Sequence, residues 1–138
     1  MIRAATRELV RKRAVGRCEY CRIHEDDEPY VFHLEHIIPI KHGGGDDPSN
    51  LAWSCHNCNL AKGANLSGRL QDETVPLFHP RQQQWNRHFR WVGPVLLGKT
   101  KCGTATVRVL NINADDRVRL RAILIKADRF HPSESNPS

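Results

Sequence analysis

Residues 32–63, FHLEHIIPIKHGGGDDPSNLAWSCHNCNLAKG, carry the densest run of metal-ligating and titratable side chains in the chain. Residues 30–38 are rich in aromatic and branched side chains and predict a strand bearing His33, Glu35 and His36. Alternation puts His33 on the face of Glu35 and His36 on the opposite one, unless the strand is distorted or ends there. Pro39 supplies such an ending. The run Gly43-Gly44-Gly45 keeps the chain irregular, and residues 46–50 have turn chemistry. A short second strand at 51–53 leads into Cys55-His-Asn-Cys58. A short helix is expected from there to about residue 64, stopped near Gly63.

Cysteines frame this stretch. Cys18-Glu-Tyr-Cys21 and Cys55-His-Asn-Cys58 are two C-x2-C pairs with 33 residues between them. Pairs seated at turns can present four thiolates in the tetrahedral arrangement that zinc accepts. A four-thiolate site has no open coordination position, so its zinc is structural and catalysis has to come from elsewhere. The ion would staple a short chain with long loops, because binding free energy becomes folding free energy. Four unrelated buried thiols would not need the paired spacing. Cys102, the fifth cysteine, reads as an ordinary partly buried thiol.

Moving outward, the chain of 138 residues has room for one domain, or one core with an appendage. Lys and Arg outnumber Asp and Glu by 21 to 15, and the net charge of +6 favours a polyanionic partner such as nucleic acid. No stretch approaches the roughly 18 apolar residues of a membrane span. Residues 1–10 carry charges where a secretory leader would be apolar, so a cytoplasmic protein is expected. Residues 2–15 predict a helix with Ile2, Ala5, Leu9 and Val10 on one side and Gly16 ending it. Arg3, Arg7 and Arg11 recur every fourth residue, as either a solvated face or a phosphate contact. Residues 25–28 form an acidic surface loop.

In the C-terminal half, residues 67–80 show no clear period and contain Pro76 and Pro80, which predicts a connection draped over the core. Residues 88–91, 94–97 and 104–110 predict three short strands separated by Gly93, Gly98 and Gly103, a small antiparallel meander. Residues 115–126 alternate Val118, Leu120, Ala122 and Leu124 with Arg117, Arg119 and Arg121, as an exposed strand would. Their length and the caps Asn113 and Asp115 favour a helix. The fold class is therefore α+β in one domain. It consists of an N-terminal helix (1–17), a zinc-clamped core (18–66), an extension packing on the core (67–130) and a flexible tail (131–138).

Hydrolysing a phosphodiester needs a base for water, a cation for the charge that develops, and a frame fixing the two together. Residues 18–63 can supply all three, and they resemble the HNH endonuclease family, whose ββα-metal motif sits between two zinc-binding cysteine pairs. The resemblance rests on Glu35-His36 at the end of the first strand, Asn50 after the glycine loop, and Asn59 on the helix. By it, His36 is the general base, and Glu35 and Asn59 bind one divalent cation. Asn50 ties the loop together and orients His36. Asparagine at 59, where many members have histidine, argues for Mg2+ or Mn2+, since carboxylate and amide oxygens suit hard ions. The segment from Leu77 to Arg121 also resembles an extension found in a bacterial subset of these proteins. Phe78, Trp85, Phe89 and Trp91 would then pack over the zinc module, with Arg81, Arg87 and Arg90 bordering the site.

Other side chains have two readings. His33 is a substrate contact or a neighbour of Glu35; His56 is a turn residue or a reserve ligand. His42 and Lys62 touch phosphate or belong to the loop and helix surface, with Lys62 on the face of Asn59. Taken together, the expectation is a metal-dependent nuclease of the HNH type cutting DNA, with RNA left open, and the resemblance implies that it leaves 5'-phosphate and 3'-hydroxyl ends. It would be a monomer or a dimer. The alternative is a non-catalytic zinc module that holds nucleic acid or protein. A hydrolase with catalytic zinc is disfavoured by the closed four-cysteine sphere.

Overall fold

The structure, a computed structural model, describes residues 2–135. The described residues divide into two compact units, one formed by residues 2–66 with 79–82 and the other by 67–78 with 83–135. Mixed helices and two-stranded antiparallel sheets, three among the described residues, make up both.

The first unit opens with helix α1 (Ala4–Arg13), whose basic last turn of Arg11, Lys12 and Arg13 suits the negative end of the helix dipole. Val15 and Gly16, both at positive φ, turn the chain out of it. The buried side is Val10 and Ala14, whereas Leu9 is half exposed, so the helix is rotated from the face that its apolar residues suggest. The arginine stripe explains the rotation. The Arg7 guanidinium lies 4.8 Å from the centre of the Trp53 ring and donates to the Phe32 carbonyl, and Arg11 binds Glu25 through both carboxylate oxygens. Two of the three stripe arginines are thus spent on the fold. Glu25, expected on the surface, also accepts from the Trp53 indole at 3.3 Å.

Strands β1 (His33–His36) and β2 (Leu51–Ser54) pair antiparallel, with Glu35 opposite Ala52 and His36 opposite Leu51. Every residue of β2 is buried. The strand expected over 30–38 is shorter because Tyr30 and Val31 are exposed and irregular and because Pro39 opens the loop. Helix α2 (His56–Lys62) begins at Cys55, whose sulfur accepts from the Cys58 amide at 3.3 Å, and ends at Gly63.

In the second unit the irregular connection expected over 67–80 contains a hairpin, β3 (Ser67–Leu70) and β4 (Glu73–Pro76), turning at Gln71 with φ 55°. Its sequence hides it because little of it alternates; Val75 alone of β4 is buried. A four-residue helix α3 (Trp85–His88) precedes the hairpin of β5 (Phe89–Val92) and β6 (Val95–Gly98). The third strand of the expected meander is instead helix α4 (Lys101–Val109). Its threonines and valines favour strand locally. The helix wins because Thr100 caps the Gly103 amide, and because Gly103, Thr106 and Leu110 are buried at helical spacing. Thr106 bonds the Cys102 carbonyl at 2.8 Å and accepts from the Phe78 amide at 2.9 Å.

Helix α5 (Asp115–Lys126) takes the helical alternative for its segment. Its alternation misleads because Arg117 and Arg121, one turn apart, point inward. The fully buried Arg121 donates to the Pro94 and Ile112 carbonyls and to Asn113, with its guanidinium 5.2 Å from the Trp91 ring centre. Phe78 meets Phe89 edge-on, Phe89 packs on Trp85 and Trp85 on Trp91, and Trp91 meets Phe130 edge-on at 5.1 Å, forming this unit's own core. Of the tail expected over 131–138, Pro132–Ser135 forms a 3-10 turn, and 136–138 lie outside the described residues.

A methyl group at Gly103 would collide with the His88 carbonyl, a backbone atom that cannot swing aside. Gly103→Ala is therefore expected to destabilise the protein by about 1–3 kcal/mol, despite alanine's higher helix propensity. A lowered urea midpoint would show it; an unchanged or raised midpoint would contradict the packing described.

Candidate active site

Four sulfurs build the frame. Cys18, Cys21, Cys55 and Cys58 are buried, and their Sγ atoms all lie within 4.8 Å of one another. Cys21 and Cys55 sulfurs are 3.7 Å apart, close to the ~3.8 Å edge of a tetrahedron with Zn–S bonds of ~2.3 Å. The Cys21 amide points at Cys18 sulfur and the Cys58 amide at Cys55 sulfur, which helps offset thiolate charge. Sulfur–sulfur hydrogen bonding with Cys18 and Cys21, followed by burial, pushes the Cys55 and Cys58 thiols well above the usual range, a tendency that a cation among the four would reverse. The four cysteines form a potential zinc site.

The first cysteine turn is fastened to β2 by reciprocal bonds: Glu19 amide to the Trp53 carbonyl at 2.8 Å, and Trp53 amide to the Glu19 carboxylate at 2.7 Å. Glu19 also carries Arg81, whose guanidinium is brought down to about 10 by burial and then by the charge of Arg13. Arg81 is thus engaged as a structural counterion and is only 18% exposed.

β1 and α2 bring the candidate residues together. Glu35, His36 and Asn59 line one open cavity of about 280 Å³, with Pro39, Ile40, Lys41, Gly63 and Ala64. The Glu35 carboxylate is 3% exposed; Tyr20 hydroxyl donates to one oxygen at 2.8 Å, and the Lys62 ammonium sits 2.5 Å from the other. Burial raises the Glu35 carboxyl above its ordinary range, against the opposing pull of Lys62 and Tyr20. Lys62, considered for phosphate, is turned inward and also donates to the His36 and Ile37 carbonyls. His36 keeps 21% of its side chain exposed, and its Nε2 lies 2.7 Å from Asp46. Asn50 holds the intervening loop with three side-chain bonds, from Ile38 amide and to the Ile38 and Gly45 carbonyls. His33 and His56 face each other with ring nitrogens 3.2 Å apart, and burial first, then the charge of His56, lowers His33. His42 stands exposed on the loop.

Three contributors carried no sequence signal. Tyr20 lies inside a cysteine pair, Glu19 beside it, and Asp46 in turn chemistry; nothing in spacing ties them to Glu35, Trp53 or His36. For Lys62 the three-residue step from Asn59 did mark the shared face.

The donor set of the cavity, a carboxylate and an amide oxygen, is of the kind that hard divalent cations take. A strand pair and helix clamped by four cysteines, with Glu-His closing the first strand and Asn on the helix, is the arrangement of the HNH endonuclease family. Residues 18–65 match the model of that family, described as HNH endonuclease. A curated relative, the Septu protein PtuB of Bacillus thuringiensis, is 30% identical over 117 residues, covering 80% of this chain. The match spans 42% of the relative, so the chain corresponds to less than half of that protein's length. No solved structure matches the chain significantly. No helix among the described residues is long and apolar enough to cross a membrane.

Lys62→Met leaves the Glu35 carboxylate buried without its cation and is expected to cost about 3–5 kcal/mol in chemical denaturation. The double variant with Glu35→Gln should cost much less than the two single changes added, because the pair is coupled. Additive losses would show that the ion pair is not formed. Zinc content of one ion per chain is expected, lost in Cys58→Ser. Strong chelation should melt the helical signal of the first unit, because structural zinc contributes ~10 kcal/mol or more against a net stability of ~5–15.

Proposed function

We propose that the chain is a metal-dependent endonuclease hydrolysing phosphodiester bonds in DNA. The observation that supports it most is that the adjacent pair Glu35 and His36 at the end of β1 and the remote Asn59 of α2 line one solvent-open cavity. In this reading His36 takes a proton from a water molecule as its oxygen forms a bond to phosphorus. The bond from phosphorus to the 3' oxygen breaks, giving 5'-phosphate and, once solvent protonates the leaving oxygen, 3'-hydroxyl. A divalent cation held by Glu35 and Asn59, Mg2+ or Mn2+ by the hardness of the donors, supplies stabilisation of the negative charge developing on the leaving oxygen. Lys62 and Tyr20 orient the carboxylate, and Asn50 keeps the loop, and so the rim of the cavity, in place. Lys41, which lines the cavity, and exposed His42 are better placed than the inward Lys62 and Arg81 to meet phosphate oxygens. His33, engaged with His56, stands as a neighbour of the site on the same strand.

Zinc bound by the four cysteines holds the scaffold and takes no part in the chemistry, since the sphere is closed. Reduced, metal-binding thiols suit a cytoplasmic setting. A second reading, a zinc module that holds nucleic acid or protein without cutting it, is favoured by one observation: both Glu35 oxygens are already engaged within the protein.

Supercoiled plasmid separates the two. With Mg2+ or Mn2+ the wild-type chain should nick, chelator should abolish nicking, and His36→Ala should slow it ~10²–10⁴-fold, the usual worth of a general base. Equal nicking by both proteins would refute the role of His36. Retained DNA binding with no cut under any metal would favour the second reading.

A further inference from the structure

We infer that Asp46 is a positioning residue for His36: its carboxylate holds the Nε2–H, leaving Nδ1 as the nitrogen with a free electron pair. The inference rests on the proposed use of His36 as the base.

The chemistry of the contact decides the direction of the bond. His36 Nε2 and Asp46 Oδ1 are 2.7 Å apart. An ionised carboxylate only accepts, and a neutral imidazole has a single N–H, so the proton belongs on Nε2 and the lone pair on Nδ1. A ring held this way presents one defined nitrogen to water, where an unheld ring would divide between two tautomers and several orientations.

Asp46 itself is half exposed, and a surface aspartate beside a histidine is commonly a passing contact. Here both ends are fixed. On the histidine side, the backbone is in β1 opposite Leu51, and its carbonyl accepts from buried Lys62. On the aspartate side, the preceding Gly45 carbonyl is gripped by Asn50 at 2.9 Å. The following Asp47 is occupied by the amide and hydroxyl of Ser49 at 2.9 and 2.8 Å. Gly44 donates to the Pro39 carbonyl, and a Cβ there would run into the Ile38 carbonyl and the Asn50 amide, so the loop has no room to shift on that side. Asp47 is taken by its own turn, which leaves Asp46 as the carboxylate aimed at the ring. The glycine loop and Asn50 therefore act on His36 through Asp46 as well as through the backbone.

The test uses the full zinc-loaded chain with ¹⁵N-labelled histidine, His36 being assigned by the signal lost in His36→Ala. At a pH where the ring is neutral, its nitrogen shifts should show protonated Nε2 and unprotonated Nδ1. Asp46→Asn, which keeps the shape, should move the ring toward a mixture with the Nδ1–H form. In the same variant kcat for plasmid nicking should fall at least about 10-fold and at most about 10⁴-fold, the loss seen when a buried carboxylate that orients a catalytic imidazole is removed, with KM within about twofold of wild type. Wild-type His36 protonated on Nδ1, or a ring unchanged in Asp46→Asn, would overturn the inference, as would undiminished kcat in that variant. If the wild-type chain cuts nothing, the endonuclease reading fails on its own, while the nitrogen shifts still decide whether Asp46 holds the ring.

Discussion

The arrangement of the first unit depends on four sulfur atoms brought to one point. Cys18 and Cys21 belong to a turn pinned to β2, and Cys55 and Cys58 open helix α2, so closing the cluster sets the helix against the strand pair. That is why the helix begins at Cys55: its sulfur is both N-cap acceptor and cluster member. Hydrophobic burial alone would set this angle loosely in so small a unit. A zinc ion shared by the four sulfurs would set it within the reach of a metal–sulfur bond, and Glu35 and Asn59 would inherit that precision.

Within that frame the site is built around a buried charge. Removing the Glu35 carboxylate from water is costly, and Lys62 with Tyr20 offsets the cost by ion pairing and hydrogen bonding. Lys62 in turn reaches the carbonyls of His36 and Ile37, so one ammonium group ties helix α2 to the carboxylate and to the end of β1. The same network keeps Glu35 oriented and restrains it, and any cation entering the cavity has to share its oxygens with residues already bound to them. On the other side of the strand end, the clamped loop delivers Asp46 to His36. The two adjacent residues Glu35 and His36 are thus held by partners from different parts of the chain.

The second unit shows how packing overrules local preference. Residues 101–109 are dense in threonine and valine, yet they form a helix because Gly103 and Thr106 allow close approach to Gly98, His88 and Phe78. Arginines at 117 and 121 are both buried and disguise the inner face of α5 as a polar one, and the Arg121 guanidinium is accommodated by backbone carbonyls that no periodicity marks. The hairpin at 67–76 is invisible to alternation because a glycine against α4 does the work of an apolar side chain.

Spacing and residue type in the sequence were enough to indicate the paired cysteines, the Glu-His strand end, the asparagine loop and the helix that follows. These are local patterns: each is a fixed number of residues apart, and turn chemistry or ligand geometry limits what such spacings can do. Tertiary structure alone decided which side chains meet. That Lys62 turns inward to Glu35 and not outward to phosphate, that Arg7 and Arg11 serve Trp53 and Glu25, and that Asp46 reaches His36 all depend on distances between segments remote in the chain. A charged side chain carries no mark in its own sequence of the partner that will neutralise it. That partner is selected only when burial leaves the charge no cheaper alternative.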